Sequence, residues 1–251
     1  MIDNEAFFLA KERAMADFSA ASGIGTLGEK LVHKTLKLYL EPNEEYHEVA
    51  FLGSVADIKN ERGITEIQTR SFERLLPKLG KLLSLTPVTV VFPIIREKRI
   101  LWLDKETGEL TAPRKSPRNG RPSDALFELS KIREYLFSEN LTVRILLLDA
   151  DEYRRLDGWD KTGKRGAGKI DRIPTDLVAE YTVSKTEDLI GLMPGGLGSE
   201  FCAKEFSKAA RLQGRRASYS LSFLYSAGLL TRRREGRAYL YSLSEKSRCE
   251  L

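Results

Sequence analysis

The chain's 251 residues are 41% hydrophobic and 31% charged, enough apolar side chain for a proper core in one large domain or two ordinary ones. No apolar run approaches the roughly 20 residues that span a bilayer, the acidic start Met1-Ile2-Asp3-Asn4-Glu5 is unlike a secretory signal, and Cys202 and Cys249 make neither a disulfide framework nor a cysteine zinc site, so a soluble cytoplasmic protein with no membrane partner is expected. The net charge of +5 is unevenly placed: from Phe201 onward eleven Lys or Arg stand against four acids, a net +7, which leaves −2 for everything before it.

In chain order, Phe7, Ala10, Ala14 and Phe18 recur at helical spacing and predict a docking helix over residues 3–20. Ser22-Gly23-Ile24-Gly25 breaks it, and Thr26 can cap a second helix from about Leu27 to Leu40. Leu27, Leu31 and Leu38 mark the apolar face of that helix, while Glu29, His33 and Lys37 follow one another at intervals of four on another. Glu29 has two readings. It can reach a neighbouring strand, or, as the last residue of Thr26-x-x-Glu29, it can satisfy a backbone N–H at the helix start in a capping box. His33 reads as a surface or supporting residue rather than a ligand.

A strand over about Tyr46 to Leu52 leads through Gly53 into Ser54 to Thr69, two short strands rich in β-branched residues on either side of the turn formers Asn60 and Gly63. Two acids, Asp57 and Glu66, stand inside this hairpin. With a tight turn and no bulge, positions whose numbers sum to 123 face each other. Asp57 then lies opposite Glu66 with Cβ atoms about 5 Å apart, and Gln68 shares their face. Directly opposed like charges destabilise a hairpin, and a divalent cation is the obvious reason to keep them, since Mg²⁺ is commonly held by one or two carboxylates with waters and phosphate oxygens. A bulge at Gly63 would slip the register by one and send the acids to opposite faces.

Arg70 to Ser84 is helical in pattern, with Phe72, Leu75, Leu76, Leu79, Leu82 and Leu83 apolar, and Pro77 inside it should end or kink the helix. Val88 to Ile95 is an apolar, mostly β-branched run of the kind buried on both faces, although Pro93 argues against a central place in a sheet. Arg96-Glu97-Lys98 reads as a turn into an edge strand, Arg99 to Leu103. Asp104 to Pro122 is a long loop rich in Gly, Pro, Lys and Arg, suited to a phosphate backbone or simply to water. Asp124 to Phe137 reads as a helix, Leu141 to Leu148 as a buried strand and Trp159 to Lys169 as a second basic loop, and Pro174 to Val183 closes a first domain, residues 1–183. In the second loop, Gly163 to Lys169 fits the first seven positions of a phosphate-binding P-loop. Ile170 in place of Ser or Thr, and the lack of a strand leading directly into the loop, count against a nucleotide-hydrolysing enzyme.

Residues 184–251 read as a second domain. Lys185 to Leu192 is a short helix, broken by Met193-Pro194-Gly195-Gly196-Leu197-Gly198, and Ala203 to Leu212 is another. Gln213-Gly214-Arg215 turns the chain into a helix from Arg216 to Ala227, with Ala217, Leu221 and Leu224 as its buried face and Gly228 as its cap. Leu229 to Arg234 and Arg237 to Leu243 form a hairpin about Glu235-Gly236. The excess positive charge gathers on that helix and hairpin, which points to nucleic acid; the plainer reading is a protein-interaction module with solvated arginines.

At Asp57, at Glu66-Ile67-Gln68 and at Glu29 the chain resembles the PD-(D/E)XK nuclease superfamily, over about residues 22 to 150. Asp57 matches the acid near the start of the second core strand, Glu66-Ile67-Gln68 the acid-x-Lys triplet of the third, and Glu29 the acid often supplied by the preceding helix. Ala56 stands where the family often has proline. Gln68 stands where it has lysine, which removes a positive charge that would help to orient the attacking water; some family nucleases carry Gln or Glu there. The resemblance implies an α/β (α+β) domain, a mixed sheet flanked by helices with αβββαβ order and a restriction-endonuclease-like core. It also implies that Asp57, Glu66, the Ile67 carbonyl and Glu29 hold Mg²⁺ or Mn²⁺ while Gln68 orients the water.

Helix, turn, helix and two-stranded wing, over about residues 184 to 246, resemble a winged helix-turn-helix domain, in which the second helix of the motif enters the DNA major groove and the wing touches backbone. By that resemblance Arg215, Arg216, Ser218, Tyr219 and Ser222 face DNA from the helix, and Arg232, Arg233, Arg234 and Arg237 from the wing. The two resemblances imply a metal-dependent endonuclease acting on double-stranded DNA. The alternative is a DNA-binding regulator or scaffold whose nuclease-like domain has lost catalysis, which Gln68 favours. A homodimer is left open.

Overall fold

In the computed structural model, which describes residues 2–20, 30–104, 107–156 and 168–245, the chain opens with α1 (Asn4–Ala20). Asp3 starts it by accepting the Ala6 N–H on its carboxylate at 2.9 Å, and the spacing-predicted Phe7, Ala10 and Ala14 are buried. α2 (Leu31–Leu40) begins later than the expected Leu27, with Lys30 as its N-cap. The Leu31 N–H at that start is satisfied from far along the chain, by Asp171 Oδ2 at 3.0 Å. Thr26, Glu29 and the Ser22 to Gly25 break lie outside the described residues. Ala10, Ala14, Leu31 and Leu38 join the two helices in one apolar cluster with Tyr39 and Ile173.

A meander follows: β1 (His47–Phe51), β2 (Ser54–Asn60) and β3 (Gly63–Ile67). Phe51 pairs with Ser54 across Leu52 and Gly53, both at positive φ, the geometry whose twist suits a two-residue hairpin. The second turn is Glu61 and Arg62. Gly63 sits at φ +118, and a Cβ there would lie 2.2 Å from the Pro87 carbonyl oxygen, which accepts the Ile64 N–H at 2.9 Å. Only glycine allows that approach.

Two expectations are corrected in the next stretch. Instead of one long helix kinked at Pro77, a 3₁₀ turn at Phe72–Arg74 precedes α3 (Leu76–Leu83), and Pro77 falls in the first turn, where its missing N–H has no intrahelical partner to lose. There is also no turn at Arg96 to Lys98: β4 (Val88–Asp104) runs through it as one strand of 17 residues. β4 is central despite Pro93, between β3 and β6 (Leu141–Leu156). β3 pairs with it only as far as Ile67 opposite Val91, so Pro93 lies beyond that neighbour's end.

The long basic loop returns to the sheet as β5 (Arg114–Lys115), paired with β4, and the predicted helix from Asp124 shortens to α4 (Asp124–Leu129) and a 3₁₀ turn at Ser130–Ile132. With β7 (Gly168–Val183) these strands form a large mixed sheet of seven strands flanked by helices. Its order is β1-β2-β3-β4-β6-β7, with β5 on β4, β1 and β2 antiparallel, and β3 and β4 parallel.

A 3₁₀ helix at Thr186–Leu192 then leads into β8 (Phe201–Cys202), α5 (Ala203–Ala210), α6 (Arg215–Ser226), β9 (Leu230–Glu235) and β10 (Ala238–Leu243). The strands make a small sheet of order β8-β10-β9. Ala217, Leu221 and Leu224 are buried as the helical spacing predicts, joined by Phe201, Phe206, Phe223 and Tyr241. Gly228, at φ +80, ends α6 in the left-handed conformation expected of a cap.

By packing, the chain divides into two compact units, one of Met1–Lys59, Ile95–Gly120 and Leu147–Glu180, the other of Asn60–Ile94, Arg121–Leu146 and Tyr181–Leu251. Among the described residues no helix is long and apolar enough to cross a membrane.

Candidate functional site

Asp57 belongs to the first unit, and Glu66, Ile67 and Gln68 to the second. On β2 the buried Ala56 and Ile58 alternate with Asp57 and Lys59, so Asp57 sits on the face opposite those apolar side chains. His33 of α2 brings its Nε2 to 3.3 Å from Asp57 Oδ2, with about a fifth to a quarter of each side chain exposed. The sequence left His33 as a supporting residue, and a ring nitrogen at that distance does orient the carboxylate.

On β3, Ile64 and Glu66 occupy one face and are 2% and 3% exposed. A carboxylate so nearly dry needs a partner, and Lys78 of α3 supplies it, with Nζ 2.7 Å from Glu66 Oε2. Gln68 extends the ladder one residue past β3, its N–H donating to the Val91 carbonyl at 2.8 Å, and alternation puts its side chain on the face of Glu66. Spacing gave no hint of Lys78; the one available signal is a cation in the first turn of a mostly apolar helix.

Glu29 and most of the P-loop-like stretch, Gly163 to Ala167, lie outside the described residues. Among the described residues no three His, Cys, Asp or Glu side chains are grouped so as to hold a metal ion.

Two other charged groups serve the structure. In the first unit, Glu152 is 1% exposed and receives Lys98, Arg154 and Arg172. Burial pushes its pKa up, but the hydrogen bonds from Lys98, Arg172 and Arg154 outweigh that and bring it from 4.5 down to about 2. The basic loop is held down in the same unit, with Lys115 Nζ 2.8 Å from Glu97 and the Gly120 N–H on the Ile95 carbonyl.

All nine residues expected to face nucleic acid are exposed: Arg215, Arg216, Ser218, Tyr219 and Ser222 on α6, and Arg232, Arg233, Arg234 and Arg237 on β9 and its turn. Their surroundings differ. The Arg216 guanidinium lies 5.2 Å from the centre of the Phe127 ring on α4, and the Tyr219 ring meets the same phenyl edge-on at 6.1 Å. Arg233 is bound by Glu200 and Glu235, whose hydrogen bonds raise its pKa further. Arg232 is stacked between Tyr225 and Tyr239, at 4.2 and 4.4 Å from their ring centres. Tyr225 and Tyr239 were missed in the sequence, although aromatic residues interleaved with arginine were the signal to look for.

The model of a family described as "Domain of unknown function (DUF8091)" matches residues 30–184, more than half of the chain. The chain belongs to the DUF8091 family. The DUF8091 segment takes in His33, Asp57, Glu66, Gln68 and Lys78, and stops before the small three-stranded sheet and its helices. The chain is also similar to a protein of Treponema pallidum (strain Nichols) described as "Uncharacterized protein", 28% identical over 220 residues, which cover 87% of this chain and 86% of that protein. That alignment is longer than the DUF8091 segment, so it takes in sequence outside it. No solved structure matches.

Proposed function

We propose that this protein is a metal-dependent DNA endonuclease, in which a PD-(D/E)XK-type domain hydrolyses phosphodiester bonds and a winged helix-turn-helix module brings it to duplex DNA. The observation that carries the reading is the order and direction of the first core elements. α2, β1, β2, β3, α3 and β4 follow one another, β1 to β4 lie side by side in chain order, and β3 runs parallel to β4 after the α3 crossover. That order supports the αβββαβ core that the nuclease resemblance implies. Asp57 falls on the second of those strands and Glu66 on the third, the two strands that carry the acids in that resemblance. In the carboxy-terminal module, a helix, a short strand, two helices and two strands, the first strand pairing with the last, support the winged-helix reading.

The oxygens that the resemblance assigns to Mg²⁺ or Mn²⁺, those of the Asp57, Glu66 and Glu29 carboxylates and the Ile67 carbonyl, are hard donors of the kind these ions take. A bound ion would polarise the scissile phosphate and lower the pKa of the attacking water. The chain's own residues do the rest. His33 holds the Asp57 carboxylate in orientation, Lys78 offsets the charge of Glu66, and the Gln68 amide hydrogen-bonds and orients the water.

A second reading, a DNA-binding regulator or scaffold without catalysis, is favoured by one specific pairing. Lys78 already neutralises Glu66, and Gln68 stands where the resemblance expects a lysine.

The test is incubation of the full chain with plasmid, linear and single-stranded DNA in Mg²⁺ or Mn²⁺, and then in EDTA. Products are expected with metal and not with EDTA, and Asp57→Ala should retard DNA as the wild type does while leaving it intact. Cleavage by Asp57→Ala at the wild-type rate removes the assignment of Asp57. Retarded DNA with no products in either metal selects the regulator.

A further inference from the structure

In the carboxy-terminal module, helix and wing do not offer the same surface. The first turns of α6 are taken up by α4: Arg216 and Tyr219, three residues apart and so on one edge of the helix, both pack on Phe127. Arg121 reinforces the contact by donating from Nη1 to the Ala209 carbonyl of α5 at 2.9 Å. An α-helix with its side chains is about 10–12 Å across and the major groove about 12 Å wide, so a helix that lies in the groove needs both flanks clear. α4 occupies one of them. Along the edge of α6 away from Phe127 run Arg215, Ser218, Ser222 and Tyr225, at helical spacing, and beyond Arg215 in the first turn the serines are short and neutral.

The wing carries the charge. Arg232 and Arg234 alternate onto one face of β9, and Tyr239, paired opposite Arg234, shares it. Tyr225 and Tyr239, 40% and 44% exposed, clasp Arg232 between them. A guanidinium held against two rings loses little freedom on binding, and its fork of N–H groups matches two phosphate oxygens. Arg237 is exposed in the turn beside them. Arg233 points to the other face and is held there by Glu200 and Glu235.

We propose that this module holds duplex DNA by its wing, through the phosphate backbone and without regard to base sequence, while α6 stays docked on α4. Arg232, Arg234 and Arg237 make the phosphate contacts, and Tyr225 and Tyr239 fix Arg232 in place. Phosphate contacts carry no sequence information; away from Phe127 the one long polar side chain of α6 beside Ser218 and Ser222 is Arg215, at the first position of the helix, which adds a further phosphate contact. The inference rests on the DNA-binding part of the reading above and is independent of catalysis.

The experiment is fluorescence anisotropy of the full chain in EDTA with two labelled duplexes of equal length and unrelated sequence. The two Kd values should agree within about twofold and weaken steeply with salt. Arg234→Ala with Arg237→Ala should weaken both by about tenfold or more and lower the slope of log Kd against log salt by about two. Arg232→Lys keeps the charge but not the planar stack, and should weaken both duplexes alike. Ser218→Ala with Ser222→Ala should leave both unchanged. A marked preference for one duplex, or full affinity in the arginine double variant, overturns the proposal. Cleavage in Mg²⁺ is scored separately, so a chain that binds through its wing and cuts nothing fails the nuclease reading alone.

Discussion

At 3% exposure the Glu66 carboxylate has lost nearly all of its water, and Lys78 at 2.7 Å replaces it. Removing either partner leaves the other short of its compensation, while removing both does not. Glu66→Gln and Lys78→Met should therefore each lower stability by about 2 kcal/mol, with a coupling of about 1 kcal/mol or more in the double variant. Urea denaturation of the four proteins reads this directly, and additive losses would count against the pair. Gly63 carries a separate prediction: with φ +118 and the Pro87 carbonyl in the way, Gly63→Ala should cost roughly 2 kcal/mol or more. The two acids and the turn were legible because alternation and turn formers are local signals. Lys78 and His33 were not assignable as partners, because each reaches its acid across space from a helix.

Among the elements, β4 was the one least legible. Arg96-Glu97-Lys98-Arg99 looks like a turn because charged residues interrupt an apolar run, yet each of its cations has an acid on β6: Arg96 on Asp149, Lys98 on Glu152 and Arg99 on Asp151. Cross-strand pairing lets a charged strand continue where composition says it should stop. α3 teaches the converse, since a proline that looked internal fell in a first turn once the helix began later than its apolar pattern. The Glu152 cluster makes an acid-range prediction. Its pKa in the fold, about 2, lies below the ordinary 4.5, so the stabilisation it brings is complete above about 4.5 and is lost as pH falls towards 2. Glu152→Gln should therefore lower the Tm at neutral pH, and its deficit should narrow as the pH is taken from 5 towards 3. A constant deficit would show that the carboxylate's charge is not what holds Lys98, Arg154 and Arg172.

For the molecule as a whole, the sequence conveyed the layer arrangement, a mixed sheet flanked by helices, since that follows from the succession of periodicities. What it could not convey was length and docking: that β4, β6 and β7 run 16 or 17 residues each, and that α6 packs on α4. Both depend on partners distant in sequence. The order α2-β1-β2-β3-α3-β4 and the acids on β2 and β3 are what support the proposal of metal-dependent phosphodiester hydrolysis for this DUF8091 protein. The most direct measurement is a crystal structure of the full chain with duplex DNA and Mn²⁺, read in the manganese anomalous signal. The expected result is manganese about 2.1 Å from carboxylate oxygens of both Asp57 and Glu66, with a DNA phosphate on the same ion. Ordered DNA, with manganese on neither carboxylate, would contradict it.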